Sequence, residues 1–267
     1  MPEPADRPLR ILVSNDDGIH APGLKVLIGI AKALSSDVWV VAPETEQSGA
    51  SHSLTLTSPL RVRKVAPKRF AVTGTPTDCV MMAIDRLVKG RKPDLVLSGV
   101  NRGANIGEDV TYSGTVAAAM EGTLLGVPSI AMSQVMGFDR DKPVQWDCAA
   151  THGPAVVRRL VEAGWPRDVL VNVNFPPVAA DRVTGIKVCH QGRRGAGNLA
   201  VEERMDARGN PYFWLGYRRS PEPPEVDSDI EAVYGGAIAV TALHLDLTHY
   251  DTQASLRQAF ARPLAGD

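Results

Sequence analysis

The chain follows an apolar run, Arg10-Ile11-Leu12-Val13-Ser14, directly with the polar sequence Asn15-Asp16-Asp17-Gly18. A short apolar run of this kind is typical of a buried β-strand. Two carboxylates therefore stand side by side at the C-terminal tip of the predicted first strand. Adjacent carboxylates repel each other, and a hard cation such as Mg²⁺ removes that repulsion. By itself, however, the Asp-Asp-Gly sequence is more often an ordinary turn or helix cap.

The apolar pattern that follows this strand alternates between helical and extended spacing. Residues 22–34 are apolar at helical spacing, and residues 37–42 are almost continuously apolar, which is typical of a parallel strand covered on both faces. The same patterns predict strands over residues 93–97, 129–132 and 169–174, helices over 76–87, 113–125 and 147–163, and a hairpin within residues 53–72. We therefore predict an α/β fold with a Rossmann-like, doubly wound and mostly parallel sheet.

The pattern becomes less regular after about Pro176. We predict a Rossmann-like catalytic core over residues 1–176 and an extension over residues 177–267. Within the extension, strands are expected over 183–190, 212–217 and 237–243, a polar segment over 191–210, and a closing helix over 252–261. We expect the extension to complete the fold, and an irregular segment of this kind is easier to stabilise against a second subunit than by itself.

Charge and cysteine content limit the classes of partner. The formal net charge of the 267 residues is -1, with acids and bases interspersed, which argues against binding of a nucleic-acid polymer or an anionic membrane. No segment approaches the roughly 20 apolar residues of a membrane span. The three cysteines lack C-x-x-C spacing and are most simply thiols in a reducing compartment. We therefore expect a cytoplasmic protein that acts on a small molecule.

Two further polar loops end neighbouring strands of the predicted sheet. Ser48 follows the second strand and Asn101 follows the third. Ligands of open α/β sheets bind beyond the carboxyl ends of the strands, so these residues are expected to meet Asp16 and Asp17. All four side chains offer oxygen, which suits Mg²⁺, Mn²⁺ or Ca²⁺. In isolation, Asn101 is about as typical of a left-handed turn residue as of a metal ligand.

The predicted helix that begins at Ser113-Gly114-Thr115 adds an anion site. Its small side chains expose backbone N–H groups, and the helix dipole favours an anion at that end. A metal beside such a site can activate a water by lowering its pKa toward about 7, which is a phosphomonoesterase mechanism. Ser113 is equally well explained as a simple N-cap. Arg193 and Arg194 are best read as surface charges, although a loop arginine can also reach a phosphate.

Five ordered motifs of the chain strongly resemble the survival protein E (SurE) family of nucleotidases. They are Ile11-Leu12-Val13-Ser14-Asn15-Asp16-Asp17-Gly18-Ile19-His20-Ala21-Pro22-Gly23, Val41-Ala42-Pro43 with Ser48-Gly49-Ala50-Ser51, Gly74-Thr75-Pro76-Thr77-Asp78-Cys79-Val80, Ser98-Gly99-Val100-Asn101, and Tyr112-Ser113-Gly114-Thr115-Val116-Ala117-Ala118-Ala119-Met120-Glu121-Gly122. The resemblance extends from about residue 9 to residues 243–248.

The resemblance implies a phosphatase that hydrolyses nucleoside 5'- and 3'-monophosphates, and in some members short polyphosphate. It also implies one divalent cation per subunit, Mg²⁺ or Mn²⁺, and a homodimer or homotetramer with a swapped C-terminal segment. The implied metal ligands are Asp16, Asp17, Ser48 and Asn101. We assign substrate and phosphate binding to Asn15, Asn101, Ser113, Gly114 and Thr115. Either Asp16 or Asp17 can orient or deprotonate the attacking water.

Two other classes of protein share parts of this pattern. Receiver-like signalling domains also place an acidic pair after the first strand, but they need a phosphorylatable Asp at the end of the third strand, where this chain has Ser98-Gly99. A nucleotide sensor would bind the same ligand without hydrolysing it. Phosphate release from a panel of monophosphates separates that alternative from an enzyme.

Overall fold

The computed structural model describes residues 7–137, 144–194, 199–217 and 223–261. The strands are β1 (Arg10–Ser14), β2 (Asp37–Pro43), β3 (Val62–Ala66), β4 (Arg69–Val72), β5 (Leu95–Arg102), β6 (Ser129–Gln134), β7 (Val169–Phe175), β8 (Ile186–Cys189), β9 (Leu199–Met205), β10 (Pro211–Tyr217) and β11 (Ile238–His244). The helices are α1 (Pro22–Leu34), α2 (Pro76–Met82), α3 (Gly114–Leu124), α4 (Asp147–Ala163), α5 (Asp229–Tyr234) and α6 (Tyr250–Ala259).

Nine strands form one sheet in the order β3-β4-β2-β1-β5-β6-β7-β11-β8. The run from β4 to β7 is parallel throughout, whereas β3 pairs antiparallel with β4 and β11 pairs antiparallel with β7. The predicted mostly parallel, Rossmann-like α/β sheet is therefore confirmed. β1 lies between β2 and β5, so its C-terminal tip is flanked by the ends of both neighbours.

Alternating residues of β1 contribute to two different cores. Ile11 and Val13 pack with buried residues of α1 and α4, whereas Leu12 packs with buried residues of α2 and α3. Because successive side chains of a strand point to opposite faces, the two helix pairs cover opposite faces of the sheet. This double coverage explains why the central strands read as continuous apolar runs.

The third strand is longer than the predicted strand over residues 93–97, after which Asn101 was expected to lie in a loop. β5 continues to Arg102, and a short 3-10 turn occupies Gly107–Thr111 just before α3. The strand passes residue 99 with a φ of +129°, and a Cβ there would lie 2.1 Å from the carbonyl oxygen of Met132. Only glycine fits both the backbone and the space. Gly99 thus lets β5 continue beyond the end of β1, with Asn101 still paired to Ser133 of β6.

The C-terminal part of the chain shares the main sheet. β11 pairs with β7 on one side and with β8 on the other, while β9 and β10 form a separate two-stranded sheet. β9 was not expected, because its sequence Leu-Ala-Val-Glu-Glu-Arg-Met lies inside the predicted polar segment. Residues 195–198 and 218–222, parts of the polar segment and of the stretch after β10, lie outside the described residues. Of the helices described, none is long and apolar enough to cross a membrane.

An ion-pair cluster joins β2 to its neighbours. The carboxylate of Asp37 accepts hydrogen bonds from Arg10 Nε at 2.7 Å and from Lys68 Nζ at 2.8 Å. Partial burial raises the pKa of Asp37, but the hydrogen bonds and charges of Lys68 and Arg10 outweigh that effect and lower it from 3.8 to about 2. The stability that this carboxylate contributes is therefore present above pH 3.8 and is lost as the pH falls through about 2.

Replacing Asp37 with Asn removes one charge from this cluster. We expect Asp37→Asn to lower the free energy of unfolding by about 1 kcal/mol at pH 7. The difference in the free energy of unfolding between wild type and variant should narrow below pH 4 in urea unfolding, because the carboxylate of the unfolded wild-type chain takes up a proton near pH 3.8 while that of the folded protein stays ionised down to about pH 2. Asp85→Asn, which changes a largely exposed pair with Arg86, is the control and should have little effect. A gap that stays constant down to pH 3 would contradict this account.

Candidate metal and phosphate site

Asp16 lies at the tip of β1 in direct contact with the start of α3. Its side chain is only 4% exposed, and its Oδ1 accepts a hydrogen bond from the Thr115 hydroxyl at 2.5 Å. A Cβ on residue 114 would lie 2.8 Å from the Asp16 Cβ and 3.0 Å from its Oδ2. The absence of a side chain at Gly114 therefore lets the helix approach the carboxylate this closely.

The local sequence explains where α3 begins. The Ser113 side chain accepts a hydrogen bond from the Val116 N–H at 3.0 Å, which makes Ser113 the N-cap. The next residues are small and buried, so the first turn packs against the sheet without a bulky side chain. The predicted phosphate residues Ser113, Gly114 and Thr115 thus lie together beside Asp16. The Thr115 hydroxyl is engaged with Asp16, which leaves backbone N–H groups as the donors for an anion.

Asp17 and Asn101 meet through the end of β5. The Oδ2 of Asp17 accepts the backbone N–H of Arg102 at 3.2 Å, directly after Asn101. The Asn101 side chain donates through Nδ2 to the carbonyl of Gly103 at 3.1 Å. Its Oδ1 is therefore the atom that can serve a cation. These contacts bring two of the predicted metal ligands to the same sheet edge.

The loop that carries Ser48 is attached to the other site segments at two points. The Gln47 N–H donates to the carbonyl oxygen of Asp16 at 2.8 Å, and the Ser51 hydroxyl donates to the carbonyl of Thr111 at 2.7 Å. The Ser48 hydroxyl itself donates to Glu46 at 2.8 Å. The loop is thus placed against Asp16 and against the turn before α3, while the Ser48 side chain is bonded within the loop.

Burial makes the two carboxylates costly when they are ionised. It raises the pKa of Asp16 to about 6, because the lowering effect of the Thr115 hydrogen bond is smaller than that of burial and the charge of Asp17 adds a further, still smaller, raising effect. Burial also raises the pKa of Asp17, against the lowering effect of the Arg102 N–H. A cation bound between them would remove this penalty.

Unpartnered polar atoms also lie at this end of β1. Asn15 donates through Nδ2 to the Gly18 carbonyl at 3.0 Å, but its buried Oδ1 has no hydrogen-bond partner among the described residues. The same holds for the buried hydroxyls of Ser14 and Ser98, which stand opposite each other on β1 and β5. Buried polar atoms normally have partners, so orphaned oxygens here fit a site that receives water or a ligand.

The donor set fits a hard divalent cation. Asp16, Asp17, Ser48 and Asn101 would hold it through oxygen, and Mg²⁺ and Mn²⁺ typically complete such sets with water and substrate phosphate. Within the described parts of the chain, no three or more His, Cys, Asp or Glu side chains form a group that could hold a metal. The predicted set has only two carboxylates, so its amide and hydroxyl ligands are essential to it.

Two contacts at the site involve residues that the sequence did not single out in that role. His52 Nε2 lies 2.9 Å from Glu121 Oε2, which joins the Ser48 loop to the side of α3. The hydrogen bond from Thr115 to Asp16 joins residues 99 positions apart. No spacing rule in the sequence connects residues as distant as the partners of these two contacts.

Of the two loop arginines, Arg194 forms a two-point ion pair with Asp109 and so is not free to reach a phosphate.

Comparison with known proteins places the chain in a family. The model of the family described as Survival protein SurE matches residues 11–198, which include every predicted metal ligand. The chain belongs to the SurE family. A protein of Parvibaculum lavamentivorans named 5'-nucleotidase SurE is 56% identical over 259 residues, covering 97% of this chain and 94% of the relative.

Other SurE proteins show the same similarity over nearly the whole chain. The 5'-nucleotidase SurE of Paramagnetospirillum magneticum is 59% identical over 252 residues, covering 94% of this chain and 96% of the relative. The crystal structure of the SurE protein from Aquifex aeolicus superposes with a TM-score of 0.82 at 41% identity, covering 94% of this chain and 99% of that chain. The SurE fold therefore extends into the C-terminal part of this protein.

The close approach of α3 to Asp16 can be tested at residue 114. Because a Cβ there would push against the Asp16 side chain, we expect Gly114→Ala to lower kcat/KM for phosphate release about tenfold or more. Activity assays and thermal unfolding would be measured together. Gly29→Ala is the control, since no atom lies within 4 Å of a Cβ at that helical position. It should keep full activity, and wild-type activity in Gly114→Ala would show that the contact is unimportant.

Proposed function

We propose that this SurE enzyme is a divalent-metal-dependent phosphatase that hydrolyses nucleoside 5'- and 3'-monophosphates to nucleoside and phosphate. The observation that carries the proposal is the contact between Asp16 and the first turn of α3, which sets a carboxylate pair beside an anion-binding helix start. The name 5'-nucleotidase carried by relatives of 54–59% identity supports the choice of substrate. The proposed substrate range includes short polyphosphate.

Each group at the site has a proposed task. Asp16, Asp17, Ser48 and Asn101 would hold one Mg²⁺ or Mn²⁺, and the bound cation would supply Lewis-acid polarisation of the phosphoryl group and a water of lowered pKa. Backbone N–H groups of the first turn of α3 bind the phosphate oxygens, with Ser113 holding that turn as its N-cap. Asn15 has a buried side-chain oxygen free to accept a hydrogen bond from a water or the substrate. Either Asp16 or Asp17 orients the attacking water and accepts its proton.

The proposed assembly is a homodimer or homotetramer with a swapped C-terminal segment. The two-stranded sheet of β9 and β10 exposes large apolar side chains, with Trp214 58% and Leu215 77% accessible. Exposed apolar surface of this kind usually meets another protein surface. The extension over residues 177–267 would then both complete the sheet through β8 and β11 and join subunits. The proposed location is the cytoplasm, which rests on the composition and cysteine spacing.

Asp16 is the residue whose removal best tests this function. We expect Asp16→Asn to lower phosphate release from adenosine 5'-monophosphate about 100-fold or more, because the amide neither carries the charge that holds the cation nor accepts a proton. Malachite-green assays with Mn²⁺ give the rate, and circular dichroism shows whether the protein remains folded. Asp251→Asn, on exposed α6, is the control. Near-normal turnover by Asp16→Asn would overturn the assignment.

Cation binding should also stabilise the folded protein, independently of turnover. At a Mn²⁺ concentration 100 times its dissociation constant, linkage gives about 2.7 kcal/mol of added stability. For a chain of this length, that corresponds to a rise in melting temperature of about 5–10 °C. Wild type and Asp251→Asn should show the rise in thermal unfolding, whereas Asp16→Asn should show little of it. An equal rise in all three proteins would mean that the cation binds elsewhere.

A further inference from the structure

The 3-10 turn Gly107–Thr111 connects the two segments that form the phosphate site. It leads directly into Ser113 and α3, and its Thr111 carbonyl accepts the hydrogen bond from Ser51 in the Ser48 loop. A shift of this turn would therefore move both the helix start and the loop that carries a predicted metal ligand. The position of the turn is set by contacts with residues of the C-terminal extension.

Residues 190–194 directly follow β8 and form hydrogen bonds and an ion pair with this turn. We call them the clamp segment. The Arg194 guanidinium donates to both carboxylate oxygens of Asp109, at 3.0 and 2.5 Å, and both side chains are largely buried. The Arg194 N–H lies 3.1 Å from each carboxylate oxygen of Glu108. Gln191 donates through its side chain to the Gly107 carbonyl at 3.0 Å. A two-point arginine-carboxylate pair fixes orientation as well as distance.

A buried carboxylate accepts hydrogen bonds from both the clamp segment and the 3-10 turn. Asp229, at the start of α5, accepts the Gly107 N–H at 3.0 Å with one oxygen and the Gly192 N–H at 2.9 Å with the other. Its side chain is fully buried. The clamp segment, the 3-10 turn and α5 therefore form one hydrogen-bonded unit. Charged and polar groups in such a network are worth more together than as separate pairs.

We propose that Arg194 is a positioning residue for the phosphate site, acting through Asp109 on the turn that begins α3. The inference rests on the proposed function for its kinetic consequence. Arg194 bonds to Glu108 and Asp109, both of which belong to the 3-10 turn. It holds the turn in the position that sets the backbone N–H groups at the start of α3 beside Asp16. Through the clamp segment, the C-terminal part of the chain sets the geometry of a site built by the N-terminal part.

The test compares Arg194→Gln with Arg193→Gln, its neighbour, whose exposed side chain lies outside these contacts. With adenosine 5'-monophosphate and Mn²⁺, we expect Arg194→Gln to raise KM about tenfold while kcat changes less than about threefold, because a displaced helix start weakens phosphate binding. Arg194→Lys keeps the charge without the two-point geometry, so its KM should lie between those of Arg193→Gln and Arg194→Gln. Asp109→Asn should match Arg194→Gln, and the double variant should be no worse than either.

Hydrogen-deuterium exchange supplies a readout that does not depend on turnover. Backbone amides of residues 107–115 should exchange faster in Arg194→Gln than in wild type or Arg193→Gln. Faster exchange together with the higher KM supports the proposal. Unchanged exchange in this segment, or a KM within about twofold of the Arg193→Gln value, overturns it. If wild type releases no phosphate from any monophosphate, the proposed function fails, and the exchange comparison alone decides whether Arg194 positions the turn.

Discussion

The carboxylate of Asp16 is held against the first turn of α3 by a hydrogen bond from Thr115, in a space that leaves no room for a side chain at residue 114. Burying an ionisable group costs free energy unless charge and hydrogen bonds compensate it. The fold tolerates this free-energy cost because the parallel sheet and the helices on its two faces fix β1 and α3 independently of the contact between Asp16 and Thr115. The remaining site segments then attach to Asp16 and to the turn before α3, as Gln47 and Ser51 do.

The sequence predicted those parts of the fold in which each strand is buried on both faces. β1, β2, β6 and β7 each contain a buried apolar stretch, and α1 and α4 have clear apolar spacing, so the order of these elements indicates a parallel sheet. β9 escaped prediction because it is paired with β10 alone and its residues from 201 onward face solvent. Glu202, Glu203 and Arg204 give β9 no apolar alternation, whereas the equally exposed β10 was predicted because its sequence Pro-Tyr-Phe-Trp-Leu-Gly-Tyr is aromatic and apolar.

The candidate site was predictable in its segments but not in its contacts. Asp16 and Ser48 follow strands, Asn101 lies near the end of β5 and Ser113 begins a helix. Sheet topology alone brings such positions to one end of the sheet. Sequence could not show that Thr115 would bond Asp16, or that Arg194 would face Asp109, because these pairs depend on packing across 99 and 85 residues. A residue type at a loop position indicates what chemistry is possible there. The fold decides which partner it meets.

The place of β11 in the sheet bears on how the protein is made. β11 is the last strand among the described residues, yet it lies against β7 and forms the ladder to which β8 attaches. Until residues 238–244 have left the ribosome, β7 presents a buried-type strand with an open hydrogen-bonding edge. Open edges of this kind recruit other chains. The newly made chain therefore keeps an aggregation-prone edge until β11 pairs with β7, however early its N-terminal strands have assembled.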